Sequence, residues 1–355
     1  MTLSLPGAGP EAIPPEIGLE KILLFPYKLA ALSANLSGGD PTYPISIELS
    51  LTSRCNLECR WCSDARLRQL CPDRLTIEHL ASLFNDLAQG GTRGVTIEGG
   101  GEPTLSPLFE SAVRAAVKSG LAVGLITNGT ALFRPGLGPE LYSLFQWIRI
   151  SIDASSQQQF KNLKGSDLFE KVLTNLAVLA SLKPKPVLGI GYVLTNLNDP
   201  PALLQALAER VRTLGADYLH LRPVVDHRDM ESSENLQILS QSARDDFSIN
   251  LGALTDNLPS GNDGLPCLAH SLSAVITADG SVWLCGRLGS EPAADAIGNL
   301  LDNSFSEIWS GQKRKSQIKM AATAQYCRRR CPQCRMTKYN RLLDRLKRFK
   351  TRDFI

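Results

Sequence analysis

The sequence predicts an α/β protein: six parallel β-α units followed by a smaller cysteine-rich region. Two observations lead there. Short apolar runs alternate with helix-length runs from about residue 45 to residue 225. All cysteines but Cys71 fall into two groups, one at 55–62 and one at 267–334.

The elements follow in order. Residues 1–43 carry Pro and Gly at their ends around a helical stretch near Leu19 to Leu36, and read as an N-terminal extension. The first strand is expected near 45–52. A helix follows near 76–89, with Thr76 as N-cap and Gly90 as its stop. The second strand is 94–98, with a helix near 106–119 ended by Gly120. The third strand is Leu121 to Thr127. Helices near 138–146, 168–182 and 200–214 precede strands at Trp147 to Asp153, Val187 to Leu194 and Tyr218 to Leu221. A polar connecting segment spans 226–264. Val275 to Leu284 then reads as a β-hairpin turning at Asp279-Gly280. The segments are therefore 1–43, a β-α region at 44–225, the connection at 226–264, a cysteine-bearing region at 265–335 and a basic helix at 336–355.

The apolar fraction of 43% and charged fraction of 21% are ordinary for a globular protein. No apolar run approaches the length of a membrane span. No basic residue precedes Lys21, so the N-terminus lacks the form of a secretory signal. Cysteines at metal spacing in such a chain point to reduced thiols and a cytoplasmic location. The net charge of +3 hides an asymmetry, because residues 311–355 hold fifteen Lys/Arg against two Asp/Glu. Such a tail could meet nucleic acid. However, Met336, Tyr339, Leu342, Leu343, Leu346 and Phe349 recur at helical spacing, which favours a packed amphipathic helix.

Cys55, Cys59 and Cys62 form a C-x3-C-x2-C loop directly after the first strand. Thiolates are the usual ligands of iron–sulfur clusters, and three of them leave one iron of a [4Fe–4S] cube open. A zinc knuckle needs a fourth ligand, and no further Cys or His follows at ribbon spacing. Gly99-Gly100-Gly101-Glu102-Pro103 ends the second strand, where glycines let backbone approach a ligand and a carboxylate can accept from an ammonium group.

Together these motifs resemble the radical S-adenosylmethionine (SAM) superfamily. The resemblance implies a partial (βα)6 barrel with its chemistry at the C-terminal strand ends. It implies Cys55, Cys59 and Cys62 as ligands of the SAM-binding [4Fe–4S] cluster, with Trp61 beside the adenine. Gly100, Gly101, Glu102 and Pro103 map onto the motif that holds the methionine amino group. Asn128, Ser151 and Asp153 at strand ends are expected to contact SAM, and Gly191 lies on the stretch that passes the adenine. His220 and Arg222, at the end of strand six, are the candidate catalytic groups.

The second cysteine group reads C-x12-G-x4-C from Cys267 to Cys285, followed by Cys327, Cys331 and Cys334. It resembles the auxiliary-cluster domain called SPASM, or its shortened form Twitch. One auxiliary [4Fe–4S] cluster on Cys267, Cys285, Cys331 and Cys334 fits best, with Cys327 left over or replacing one of them. A four-cysteine zinc site shares this spacing.

The expected activity is reductive cleavage of SAM to a 5′-deoxyadenosyl radical that takes hydrogen from a small polar substrate, such as a sugar or aminocyclitol. Four protein thiolates close the auxiliary cluster, which suits electron transfer and hence a dehydrogenase-type oxidation. A flavodoxin or ferredoxin would supply electrons. Radical epimerisation and peptide modification are the alternatives within the enzyme class. A non-catalytic RNA-binding protein would have no use for the Gly-Glu-Pro turn.

Overall fold

The computed structural model describes residues 19–34, 42–225, 227–232, 236, 239, 242–251, 265–286, 296–323, 325–326, 334 and 336–348. Ten strands form one sheet: β1 (Ser46–Leu49), β2 (Gly94–Ile97), β3 (Ala122–Thr127), β4 (Trp147–Ser151), β5 (Val187–Leu194), β6 (Tyr218–Pro223), β7 (Ser248–Asn250), β8 (Ser273–Ile276), β9 (Ser281–Trp283) and β10 (Gly298–Asn299). Their order is β10-β9-β8-β1-β2-β3-β4-β5-β6-β7. Neighbours from β8 through β1 to β7 are parallel, and β8-β9-β10 are antiparallel. Six consecutive parallel strands with helical crossovers are the expected partial barrel.

The helices are α1 (Pro26–Ala34), α2 (Ala65–Leu70), α3 (Ile77–Gln89), α4 (Phe109–Lys118), α5 (Gln157–Lys164), α6 (Phe169–Ala180), α7 (Pro201–Thr213), α8 (Phe305–Ser310), α9 (Gln312–Ala321) and α10 (Thr337–Arg348). α3 shows why they form and dock. Thr76 caps it by accepting from the His79 N–H, and His79 Nδ1 accepts in return from the Thr76 N–H. Leu80, Leu83, Phe84 and Leu87 bury one face at helical spacing. Each such side chain contributes about 1.5–3 kcal/mol on burial. The main core lies between these helices and the outward faces of the strands, where Ile47, Leu49, Ile148, Ile150, Leu219 and Leu221 are fully buried.

Several elements differ from the sequence reading: α2, β7, β10, α8 and α9 fall where no helix or strand was expected, and β7 extends the parallel sheet into the segment read as a connection. The stretch near 138–146 is a 3₁₀ turn at Pro139–Leu144, not an α-helix, because Pro139 opens a segment too short to propagate. The N-terminal helix is split into a 3₁₀ turn at Leu19–Leu24 and α1. α5 was not expected; Ser156 caps it and Gly165 ends it at φ 73°. The β8-β9 hairpin forms at Asp279-Gly280 as expected and joins the barrel sheet through parallel pairing with β1.

The C-terminal helix α10 packs as its apolar spacing predicts. Leu343 is fully buried with Ile22, Leu32, Ala269 and Leu272, and Met336, Tyr339, Leu342 and Leu346 pack around them. Phe349 lies outside the described residues. No helix among the described residues is long and apolar enough to cross a membrane.

Candidate active site

Cys55, Cys59 and Cys62 stand on the loop after β1, each partly exposed. Backbone bonds hold this loop. The Glu58 and Arg60 N–H groups each donate at 3.1 Å to the Lys164 and Leu163 carbonyls at the end of α5. On the other side, the Gly101 and Glu102 N–H groups each donate at 2.8 Å to the Thr52 and Arg54 carbonyls. A Cβ on Gly101 would lie 1.9 Å from the Arg54 carbonyl oxygen, so only glycine allows the two turns to pack. Gly100, at φ 60°, likewise lies against Ser50. Pro103 is buried and opens a 3₁₀ turn at Pro103–Leu105.

The donor set fits an iron–sulfur cube. Three partly exposed thiols on one loop are the usual ligand type of such a cluster, with one iron left for a non-protein ligand. Burial pushes the Cys59 thiol up to about 11 and that of Cys62 upward, so ligation releases protons here.

Glu102 is only 2% exposed. Its Oε1 accepts from the Thr104 N–H at 3.1 Å and from the Thr104 and Thr127 hydroxyls at 2.6 Å each. Its Oε2 accepts from the Asn128 N–H at 2.7 Å. The carboxylate thus clasps the ends of β2 and β3. Asn128 continues the network: its Nδ2 donates to Asn56 Oδ1 at 2.9 Å and lies 4.0 Å from Cys55 Sγ. Its Oδ1 accepts from the Thr130 N–H and hydroxyl at 2.9 and 2.7 Å. Asn56, Thr127 and Thr130 were not singled out in the sequence. Their only signal was proximity to the two motifs.

Ser151 and Asp153 meet a residue that sequence reasoning missed. Lys164, fully buried, pairs with Asp153 Oδ2 at 2.7 Å and donates to the Ser151 carbonyl. Burial works against its charge, but Asp153 and the neighbouring Cys59 sulfur outweigh it and hold its pKa above the ordinary lysine value. Asp153 sits at φ 55° and also accepts from the Val193 N–H at 2.6 Å. Trp61 is buried with Leu163 and Val224, against Val193 and Met230.

His220 and Arg222 share the inward face of β6, where they meet Arg149 of β4. Arg149 Nη1 lies 3.3 Å from His220 Nδ1. Burial, with Arg149 and Arg222, pushes His220 down to about 3, so it is neutral near pH 7. A Cβ at Gly191 would be 3.5 Å from Arg149 Cγ and Cδ, so the arginine stem runs across this glycine.

In the second cysteine group, Cys267, Cys285 and Cys334 are described and partly exposed, whereas Cys327 and Cys331 lie outside the described residues. Cys285 follows β9 and Cys267 precedes β8 across the hairpin. Asn340 of α10 ties two of these segments together. It is fully buried, its Oδ1 accepts from the Leu268 and Ala269 N–H groups at 2.8 Å each, and its Nδ2 lies 3.8 Å from Cys334 Sγ.

Comparisons with known proteins agree with this fold. Residues 49–207 match the family model of the radical SAM superfamily, and residues 267–335 match that of the SPASM iron–sulfur cluster-binding domain. An S-adenosylmethionine-dependent nucleotide dehydratase from Selenomonas ruminantium is 28% identical over 43% of this chain and 57% of its own, so the match spans just over half of that relative. An AdoMet-dependent heme synthase from Methanosarcina barkeri is 25% identical over 75% of this chain and 82% of its own. Streptococcus suis SuiB, in a crystal structure with the precursor peptide SuiA, superposes with a TM-score of 0.63 at 13% identity. That superposition covers 94% of this chain and 81% of SuiB, and the likeness is one of fold. The chain therefore belongs to the radical SAM superfamily and carries a C-terminal SPASM domain, with SAM, its [4Fe–4S] cluster and an auxiliary cluster as cofactors.

Proposed function

We propose that the protein is a radical SAM oxidoreductase of dehydrogenase type, acting on a small polar, sugar-like class of substrate at the C-terminal mouth of the barrel. One observation carries the SAM-binding part of this reading. Glu102, Asn128 and Asn56 form a continuous network from the Gly-Glu-Pro turn to the cysteine loop. In this reading Cys55, Cys59 and Cys62 hold the first cluster. Glu102 and Asn128 orient the methionine end of SAM, Ser151 meets its carboxylate or ribose, and Trp61 walls the adenine side. Cys267, Cys285, Cys331 and Cys334 hold the auxiliary cluster, with Cys327 as an alternative ligand. When bound, these groups supply hydrogen-atom abstraction and a sink for one further electron. The substrate would give up a hydrogen atom and an electron to these groups and its hydroxyl proton to solvent water. His220, held neutral, serves as a hydrogen-bonding group and not as the base.

Cys71 favours oxidation over an epimerisation that would use this thiol as hydrogen donor. It is 6% exposed and lies against Thr277 and Asp279 at the hairpin turn, so its sulfur is not open to a bound substrate. The expected result, on reduction with SAM, is release of 5′-deoxyadenosine and a product two hydrogens lighter than substrate by mass spectrometry. An isomeric product carrying solvent deuterium would make the enzyme an epimerase. Turnover of a peptide alone would make it a peptide modifier.

Glu102→Gln tests the methionine-end assignment. The amide sets a donor against the Asn128 N–H or the threonine hydroxyls and removes the charge that faces an ammonium group. Losing a charge-assisted hydrogen bond of this kind raises the SAM dissociation constant about 10- to 150-fold. An unchanged constant in an equilibrium titration would remove Glu102 from the SAM site.

A further inference from the structure

The inner face of β4, β5 and β6 carries two arginines, Arg149 and Arg222, that the reading above leaves without a task, beside the neutral His220. In register, Arg149 faces Gly189, Gly191 faces His220, and Arg222 pairs beside Val193. Ile148, Ile150, Leu188, Ile190, Leu219 and Leu221 point the other way into the helix-covered core. Alternation therefore places Arg149, His220 and Arg222 together inside the barrel.

The cluster is built into the strands. A Cβ at Gly189 would fall 2.0 Å from the Tyr218 ring, so this glycine admits Tyr218 across the strand. Gly191 admits the stem of Arg149. Arg149 is 9% exposed, and its Nε is buried with no hydrogen-bond partner among the described residues. Its other contacts are His220, the Tyr218 hydroxyl and the Trp147 ring at 5.9 Å. None of these is an anion. The fold treats its other buried cation on this side differently, since Lys164 has the Asp153 carboxylate at 2.7 Å. A buried guanidinium needs a compensating charge. By the same alternation the carboxylates Glu48 of β1 and Glu98 just past β2 also face inward, with β2 and β3, or β3 alone, between them and β4. His220, neutral and with Nδ1 toward Arg149, keeps its hydrogen on Nε2 and becomes a further donor.

We propose that Arg149, His220 and Arg222 form an oxyanion site inside the barrel, and that the substrate brings a carboxylate or phosphate group to it. The proposal rests on the radical SAM oxidoreductase reading and narrows its substrate to an anionic small molecule. Arg149 and Arg222 offer planar donor forks suited to either group.

The test titrates inorganic phosphate and acetate separately into the reconstituted, SAM-loaded holoenzyme. Saturable binding of phosphate assigns a phosphate ester, and of acetate a carboxylate. In either case Arg149→Met is expected to weaken it about 10- to 150-fold, with Arg149→Lys retaining part of the affinity. If Arg149→Met does not fold, Arg222→Met carries the same measurement. Absence of saturable binding for both anions, or binding that these variants leave unchanged, overturns the proposal. A comparable loss of SAM affinity in Arg149→Met, with anion binding intact, gives the arginine to SAM and also overturns it. Release of 5′-deoxyadenosine by the unaltered enzyme is measured in parallel. Its absence alongside Arg149-dependent anion binding would strike the oxidoreductase reading and not the anion site.

Discussion

Anaerobically reconstituted protein with Cys55, Cys59 and Cys62 all changed to Ala is expected to hold about four irons, against about eight in the parent with its two clusters. It is expected to release no 5′-deoxyadenosine. The loss is one of ligands and not of fold. The loop is fixed by backbone bonds from Glu58 and Arg60 to Lys164 and Leu163, and its neighbour by bonds from Gly101 and Glu102, none of which uses sulfur. The auxiliary cysteines stand on other segments, around the β8-β9 hairpin and before α10. Iron analysis, together with the visible and electron paramagnetic resonance spectra of the remaining cluster, checks the first part. Chromatography of the SAM cleavage products checks the second. Cleavage at the parent's rate by the triple variant would place the catalytic cluster elsewhere.

Lys164→Met is expected to cost about 3–5 kcal/mol, because it leaves the Asp153 carboxylate buried without its partner. The two side chains are 1% and 5% exposed, so water cannot take over from the lysine. The damage reaches the site, since Lys164 also donates to the Ser151 carbonyl and its own carbonyl holds the cysteine loop. The double variant Lys164→Met, Asp153→Asn isolates the charge. Asparagine tolerates the left-handed backbone at Asp153, and with neither charge present part of the loss should return. Unfolding midpoints of parent, single and double variants provide the comparison. A single variant as stable as the parent would show that the pair does not hold this corner of the barrel.

Much of the fold was legible because its signals are local. Thr76 and Gly90 bound α3, Asp279-Gly280 turns the hairpin, and six apolar runs become six parallel strands. The cysteine loop and the Gly-Glu-Pro turn were legible for the same reason, since each is a compact run of chemistry-bearing residues. What escaped depends on distant partners. Lys164 ends a polar run and reads as a solvated lysine until Asp153 is brought beneath it. Asn340 looks like a surface residue of a basic helix, yet it spans the cysteine segments through residues some seventy positions earlier. Arg149 did leave a trace. In Trp147-Ile148-Arg149-Ile150-Ser151 the alternation sets it on the face of Ser151, away from the two isoleucines.

The parallel pairing of β1 with β8 has a consequence for synthesis of the chain. β1 is among the first strands to leave the ribosome, and one of its edges is covered by Ser273–Ile276, more than two hundred residues later. Until that segment emerges, a row of backbone donors and acceptors beside the cysteine loop stays open to any passing strand. Closing so long a loop is slow compared with making local contacts. The nascent barrel therefore keeps this edge, beside the cysteine loop, uncovered until the second cysteine segment has begun to dock.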